Sequence, residues 1–450
     1  MRLRPTLRLI VAAAALLTGA IGPSAHAAGT VLPPLDDAVS YTADLTASPD
    51  GRTFTGTERI VVRNAGSGDL ARVWLRLWGN GPQGCKPLAV SASVTSGGRV
   101  GRTSRNCSAL EVVLSAPLPP DRLATIDLAV SITAPDLSDR FGAADDVDLF
   151  GNALPVVAQR DRRAWRLPNY SPYGESWVTT WAHFELTLRH PAALKVAASG
   201  TTVTTPDSSG QSAVTTSVID ARDTFWAIGK MDEVQRRTKR GVLVRAWSPT
   251  DAAADREDAV RDATTALDQI ELRLPKYPYE EYDVIVARIE AGGGMEYPGA
   301  VITDGSSDVT RHETGHQWFY GLVGDDQYRE PWVDEGLTTF LELYWTSPTS
   351  QQVPTCYLAR RFRVPDPSTF ITSSMSYWNK HVGQYGLAYD QPACALADLR
   401  SKLGNAKFSK IMRGIVTDYG TKIVTGAEVR RAFGRQYRGT WPRWGLGPGR

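Results

Sequence analysis

At 450 residues the chain is longer than one ordinary core needs and calls for two or three domains. Hydrophobic residues at 42% and charged residues at 22% exclude a disordered, collagen-like or coiled-coil chain. Basic and acidic residues nearly balance, so charge gives no reason to expect nucleic acid or an anionic membrane as a partner.

The first element is a targeting segment. "MRLRPTLR" is basic, "LIVAAAALLTGAIG" is a short apolar run, and Ala25 and Ala27 in "SAHA" form a small-x-small cleavage pattern. A membrane anchor would need about 20 apolar residues, more than this run supplies. Residues 1–27 are therefore expected to be a signal peptide cut after Ala27, which predicts a secreted protein with no stable membrane insertion. Without Arg2, Arg4 and Arg8 the balance becomes 47 basic against 48 acidic residues. Cys85, Cys107, Cys356 and Cys394 form no C-x-x-C pair, which argues against a zinc ribbon or a redox motif. In an oxidising compartment they predict two disulfides. Of the three possible pairings, Cys85–Cys107 with Cys356–Cys394 keeps each bond within one half of the chain.

Residues 28–235 read as β structure. "AVSYTADLTA", "TFTGTERIVVRN", "RVWLRLWG", "ALEVVLSA", "ATIDLAVSITA" and "AHFELTLRHP" alternate polar and apolar residues. "TSGG" and "PDSSGQ" read as hairpin turns between such strands. A β-rich sandwich or curved sheet is predicted.

The pattern changes after "RRTKRG", between Met231 and Gly241, and residues 236–450 form the second expected domain. "VLVRAW" is a strand and "DAAADREDAVRDATTALDQIELRL" has helical spacing. "YDVIVARI" is a buried-strand candidate, and "GAVITD" is a short strand that could sit at a sheet edge, with Pro298 at its start. Helices are predicted over roughly 308–323, 331–345 and 389–403, and "GAEVRRAFGRQYRG" as a short closing helix. The fold class is α+β.

The chemistry concentrates in "RHETGHQWFYGLVGDDQYREPWVDEGLTTF". His312 and His316 are four apart, which puts both imidazoles on one helix face where they can bind one ion. Glu313 is turned about 100° away and can reach a water on that ion without ligating it. Gly315 costs about 1 kcal/mol relative to alanine in a helix interior, so a close contact there is expected. A catalytic zinc takes a third protein ligand. A third histidine six residues after His316 is excluded, because that position is Leu322. The remaining option is a carboxylate near or on the next helix. Glu335 projects from its first turn, and Asp325, Asp326, Glu330 and Asp334 are rivals. Asp334 reads either as a partner of a ligating histidine or as an exposed helix acid.

With these residues in view, "HETGHQW" and "WVDEGLTTF" resemble the gluzincin metallopeptidases of the aminopeptidase N type. Their pattern is H-E-x-x-H, eighteen residues, then a glutamate inside W-x-x-E-G, and Glu335 is nineteen positions past His316, flanked by Trp332 and Gly336. "GGMEYPGAVIT" matches the family's G-x-M-E-N at Gly293, Met295 and Glu296, with Tyr297 in place of the asparagine. "YDQPACALADL" matches Y-x-x-G-A-x-x-L at Tyr389, with Pro392 in place of the glycine and Tyr385 as a rival.

The resemblance implies a β-rich N-terminal saddle or sandwich followed by a thermolysin-like, mainly α catalytic domain. It implies one Zn2+ on His312, His316 and Glu335, with Glu313 as general base, Tyr389 as oxyanion donor, and Glu296, Gly293, Gly294 and Met295 at the substrate. Asp334 would support the ligands from behind. "GTWPRWGLGPGR" closes the chain soon after the third helix, so the family's capping helical domain is expected to be missing. The predicted partners are peptides with a free N-terminus, since a buried Glu296 would hold the amine. The sequence does not fix side-chain preference or oligomeric state. A zinc endopeptidase with an open cleft, and a peptide-binding module without activity, are the competing readings; a retained Glu313 argues against the second. His183, His190 and His381 read as structural or exposed, and Trp318, Tyr344 and Trp345 as core. Cys394, five residues after Tyr389, suggests that its disulfide braces the tyrosine helix.

Overall fold

Strict alternation of inward apolar and outward polar residues organises the first half of the chain. In the strand Thr53–Arg63, Phe54, Ile60 and Val62 are buried while Thr55, Thr57 and Arg59 are not. The computed structural model describes residues 38–161, 164–206, 211–290, 293–347, 356 and 371–447. The expected signal peptide, and the middle of the "PDSSGQ" turn, lie outside the described residues.

The largest sheet has the strand order Thr201–Pro206, Gln211–Ala221, Ala182–Pro191, Ala38–Ala47, Thr53–Arg63, Leu123–Thr133, Val90–Ser96. Only the pair Ala38–Ala47 with Ala182–Pro191 is parallel in this sheet. Two four-stranded sheets, one built on Leu70–Arg76 and Ala109–Leu118 and one on Phe225–Gly229 and Val147–Gly151, complete the β-rich half. Their shared core holds Ile60, Leu128, Leu186 and a stacked pair, Phe150 and Trp226, with ring centroids 5.0 Å apart. All six strands expected from alternation are present. Val90–Ser96, Gln211–Ala221 and Phe225–Gly229 are among those not foreseen, since their patterns are short, Thr/Ser-rich or uniformly apolar.

A five-stranded sheet follows in the order Met231–Arg237, Leu243–Pro249, Glu281–Val286, Ala300–Thr303, Met295–Tyr297. Helix α1 (Ala253–Ile270) covers it with a stripe of Ala259, Ala263 and Leu267. Ala300–Thr303 lies between two strands, so the expectation that "GAVIT" forms the edge is corrected: the edge strand is Met295–Tyr297. Pro298 and Gly299 turn the chain between them, with Gly299 at φ +79°, a conformation that glycine supplies without strain. Pro298 thus serves a hairpin turn rather than a strand edge.

Further helices are α2 (Ser307–Gly315), α3 (Trp332–Leu341), α4 (Met375–Trp378), α5 (Leu387–Leu403), α6 (Asn405–Tyr419), α7 (Gly426–Ala432) and α8 (Thr440–Arg443). The expected closing helix over 426–439 is α7 followed by a 3-10 turn at Arg435–Tyr437, and α7 starts on a capping box between Thr425 and Glu428. Helix α2 ends eight residues before the expected limit at residue 323. From there three bonds run i to i−5, with Gly321, Leu322 and Val323 donating to His316, Gln317 and Trp318. Tyr320 takes φ 120°, which a helix cannot accommodate. The β-rich half stabilises this ending: Trp181 Nε1 donates to the Gly321 carbonyl at 3.0 Å, and Arg222 Nη2 to that of Asp325 at 2.9 Å. Helix α3 continues as a π-helical turn over Glu342–Thr346. The α+β fold class is borne out, and so are both disulfide pairings, Cys85–Cys107 and Cys356–Cys394. Trp318 and Trp345 are core, with Tyr344 packed against them. Among the described residues no helix is long and apolar enough to cross a membrane.

One inward position of the large sheet breaks the pattern. Glu58 is buried, paired in register with Ala43 and Leu128, and neither carboxyl oxygen has a hydrogen-bond partner among the described residues. Burial pushes its pKa well above the ordinary value. An acid raised in the folded state stabilises fully below its unfolded pKa, and that stability is lost as pH rises towards the folded value. Glu58→Gln should therefore raise the melting temperature relative to wild type more at pH 8 than at pH 5. The difference should be about 1 kcal/mol for each unit by which folding raises the pKa. Equal effects at both pH values in paired thermal scans would count against a buried neutral acid.

Candidate metal centre

Helix α2 is fixed from behind by two threonines one turn apart. Thr314 Oγ1 lies 3.0 Å from the hydroxyl of Tyr282, and Thr310 Oγ1 lies 2.9 Å from that of Thr303, both on strands of the five-stranded sheet. The opposite face then presents His312, Glu313 and His316 to a cavity of ≈ 240 Å3. His316 is already past the helix but keeps helical backbone angles, φ −62° and ψ −14°, so the one-turn spacing survives. Gly315 faces α3, where an added Cβ would come within 2.9 Å of Thr338 Cγ2. That contact is the reason for glycine in this helix.

The three expected ligands come together. His312 Nε2 lies 3.1 Å from His316 Nε2, and each lies 3.3 Å from Glu335 Oε2. Three donors about 2.0–2.1 Å from a tetrahedral ion stand about 3.3 Å apart, so this triangle fits a zinc. The tautomers point the same way. His316 Nδ1 lies 3.0 Å from the Phe319 carbonyl, which can only accept, and His312 Nδ1 lies 3.0 Å from a carboxylate oxygen of Glu342. With both protons on Nδ1, the two Nε2 lone pairs face each other, an arrangement that a bound cation stabilises. Thr338 Oγ1, 3.2 Å from His316 Nδ1, adds a further contact. The rivals for the third position are engaged elsewhere: Asp325 lies 3.5 Å from Arg222, Asp326 pairs with Arg166, and Glu330 accepts from the Gly426 amide at 3.1 Å.

Glu313 is buried beside Gly294, where an added Cβ would meet Glu313 Cγ at 2.6 Å. Its Oε2 has no partner among the described residues, and burial pushes its pKa up to about 8. Gly293 has φ +76° and lines the cavity with Gly294. Glu296 also lines it, with Oε1 accepting from Gln327 at 2.8 Å. Met295, its neighbour, does not. Successive strand residues face opposite ways, and the Met295 side chain lies in a core cluster with Phe225, Tyr297 and Ile302. The side chain of Met295, a residue expected at the substrate, thus lies away from the cavity.

Tyr389 is in the first turn of α5, its hydroxyl donating to Glu335 Oε1 at 2.7 Å and its ring 5.8 Å from that of His312. Tyr389 lines the cavity and its rival Tyr385 does not. Asp334 is buried rather than exposed, and it bonds neither histidine. Its oxygens accept from the Glu335 amide at 2.9 Å and from Gln327 at 2.7 Å, since the first turn of α3 directs it behind Glu335. His381 is exposed and stacks on Tyr377, away from the cavity.

Four contributors escaped the sequence reading. Glu342 is seven residues after Glu335 and so two turns along the same helical face, a signal that was available. Gln327 is in a connector and Thr338 is one of many threonines. Glu175 comes from the β-rich half, lines the cavity, and is held by Arg140 Nη1 at 3.1 Å. Nothing local in "YGESW" marks it. Burial raises the pKa of Glu175 and Glu296, and neighbouring carboxylates add to the effect in both. These acids therefore resist ionisation in the empty cavity, and bound cations would favour their charged forms.

No protein-family model matches the chain. Over 143 residues it is 30% identical to Aminopeptidase Q of Mus musculus, covering 26% of this chain and 25% of that protein. Over 220 residues it is 25% identical to human Aminopeptidase N, covering 43% of this chain and 22% of that one. The chain thus spans a quarter or less of the length of these curated relatives. Among solved structures, an M1 zinc metallopeptidase from Deinococcus radiodurans superposes with a TM-score of 0.68 at 20% identity, covering 92% of this chain and 94% of that one. A mutant of that protein bound to a Tyr-Ser-Ala substrate gives a TM-score of 0.67 at 21% identity, covering 92% and 95%. At that identity the likeness is one of fold. The resemblance to gluzincins of the aminopeptidase N type, expected from the motifs, is borne out by the curated relatives.

Helices α3 and α5 meet at Gly336, where an added Cβ would come within 2.3 Å of Pro392 Cβ. Gly336→Ala should push the tyrosine helix off the ligand helix and destabilise the protein by about 1–3 kcal/mol. A melting temperature unchanged from wild type would show that the helices can part without cost.

Proposed function

We propose that this chain is an exported zinc metallopeptidase that removes residues from the free N-terminus of peptides. The observation that carries the reading is one cavity lined by both kinds of group the reaction needs: the triangle of His312, His316 and Glu335, and the carboxylates of Glu296 and Glu175. In this reading His312, His316 and Glu335 hold a single zinc. When bound, zinc lowers the pKa of a water towards 7 and polarises a carbonyl.

The rest of the chemistry belongs to the chain. Glu313, buried and unpartnered at Oε2, takes a proton from the attacking water and passes it to the leaving amine. Tyr389 shifts its hydroxyl from Glu335 to the oxygen that gains charge at the scissile carbonyl. Glu296 and Glu175 receive the cationic amine and so set the register at the chain end. Gly293 and Gly294 leave room beside Glu313 for the substrate backbone. Residues 28–235 act as the β-rich domain that delivers Glu175, and residues 236–450 as the catalytic domain. The tripeptide bound to the Deinococcus neighbour supports peptides as the substrate class.

Purified mature protein should release product from free aminoacyl chromogenic substrates and not from their N-acetylated forms, and a zinc chelator should abolish the release. Glu313→Gln should lower turnover by about 10²–10⁴-fold with zinc content unchanged. Glu296→Ala should raise KM for free substrates. Cleavage of acetylated peptides with Glu296→Ala indifferent would establish an open-cleft endopeptidase instead. Bound zinc with no turnover on any substrate would favour a binding module.

A further inference from the structure

Gln327 is buried in the connector between α2 and α3, and its amide nitrogen has two acceptors. Nε2 lies 2.8 Å from Glu296 Oε1 and 2.7 Å from Asp334 Oδ2. An amide carries two hydrogens, so each carboxylate takes one. Asp334 Oδ1 then accepts the backbone N–H of Glu335 at 2.9 Å. A continuous hydrogen-bonded chain therefore runs from the edge strand of the five-stranded sheet to the first turn of α3. It ties Glu296 to the residue that completes the metal triangle.

We propose that Gln327 is a positioning residue that aims Glu296 at the substrate amine while leaving the carboxylate charge uncancelled; the inference rests on Glu296 being the amine anchor. Two carboxylates must be held from one point. A hydroxyl offers one donor, and a third carboxylate would repel both. Lysine or arginine would supply the donors, but its charge would compete with the ammonium group for Glu296. A neutral amide alone holds both acids without that competition.

The other carboxylate of the cavity provides the contrast. Glu175 is held by a guanidinium, that of Arg140, at 3.1 Å, so its charge is already matched. Glu296 has no arginine, lysine or histidine within salt-bridge distance among the described residues. Of the two, Glu296 is the one with no paired side-chain cation to compete with a ligand's ammonium group. The unpartnered Oε1 of Gln327, buried among these acids, is consistent with a side chain selected for its two donors.

The test separates amine recognition from metal binding. L-Leucine hydroxamate and its des-amino analogue both reach a metal through the hydroxamate, and only the first carries an amine. Dissociation constants for both would be measured by calorimetry on the mature zinc-loaded protein, with zinc content determined for each variant. The variants are Glu296→Gln, Gln327→Met and, should the methionine protein not fold, Gln327→Asn. Loss of a hydrogen bond to a charged group predicts about 10–100-fold weaker binding of leucine hydroxamate to either Gln327 variant. The des-amino analogue should change less than about 3-fold, at unaltered zinc content. Equal losses for the two ligands, or no loss for either, would overturn the inference. If Glu296→Gln separates the ligands and the Gln327 variants do not, only the role of Gln327 fails. If Glu296→Gln does not separate them, the amine anchor itself fails and takes Gln327 with it.

Discussion

Two imidazole nitrogens 3.1 Å apart, each 3.3 Å from one carboxylate oxygen of Glu335, are the constraint around which this half of the molecule is arranged. With both protons on Nδ1 the two Nε2 atoms would repel. The chain nevertheless fixes both rings from behind, one on the Phe319 carbonyl and one on Glu342, so neither can turn away. It then closes the third corner with Glu335 from another helix. Each of these contacts costs side-chain entropy, which a cation at the centre would offset. Binding of such a cation would then be linked to folding of the helix pair.

The β-rich half is part of this arrangement rather than a mere attachment. Helix α2 stops early because Tyr320 turns out of helical geometry, and carbonyls around that turn need partners. Trp181 and Arg222, both from the first half of the chain, supply them. Tyr297, next to Glu296, stacks on Phe225 and lays its hydroxyl over Gly151, where any side chain would collide with it. The same half contributes Glu175 on its Arg140 support. Detaching it would unbind the end of the metal helix and remove one acid from the cavity.

What the sequence revealed follows from the range of the forces involved. The histidine pair, Glu313 and Glu335 were legible because helical geometry converts spacing into direction within one or two turns. The long strands were legible because alternation is local. The early end of α2 was not, since Tyr320 and Gly321 are unremarkable until Trp181 and Arg222 arrive from more than 90 residues away. The edge strand was misassigned for a related reason. Met295–Tyr297 has only three residues, too few for a period, and Pro298 reads equally well as a strand start or a turn. Met295 shares a motif with Glu296 but points to the other side of the same strand, so motif membership does not fix which side chains reach the cavity.

Charge explains the rest of the design. Glu175, Glu296, Glu313, Glu335 and Glu342 all line one small cavity, with no lysine or arginine among its described lining residues. Arg140 stands behind Glu175, and Arg311 pairs with Asp308 at the same cavity. Ordinary folding would not gather acids in this way, because burial and mutual repulsion each raise the cost of every ionised carboxyl. A dication at the triangle and an ammonium group near Glu296 would together offset most of that repulsion. The two cations need not arrive together: with the metal in place, the remaining negative charge still favours a cationic ligand over a neutral one. A blocked amine would leave Glu296 desolvated and unmatched, so selection for a free terminus would arise from an unfavourable bound state of the wrong ligand as much as from attraction of the right one.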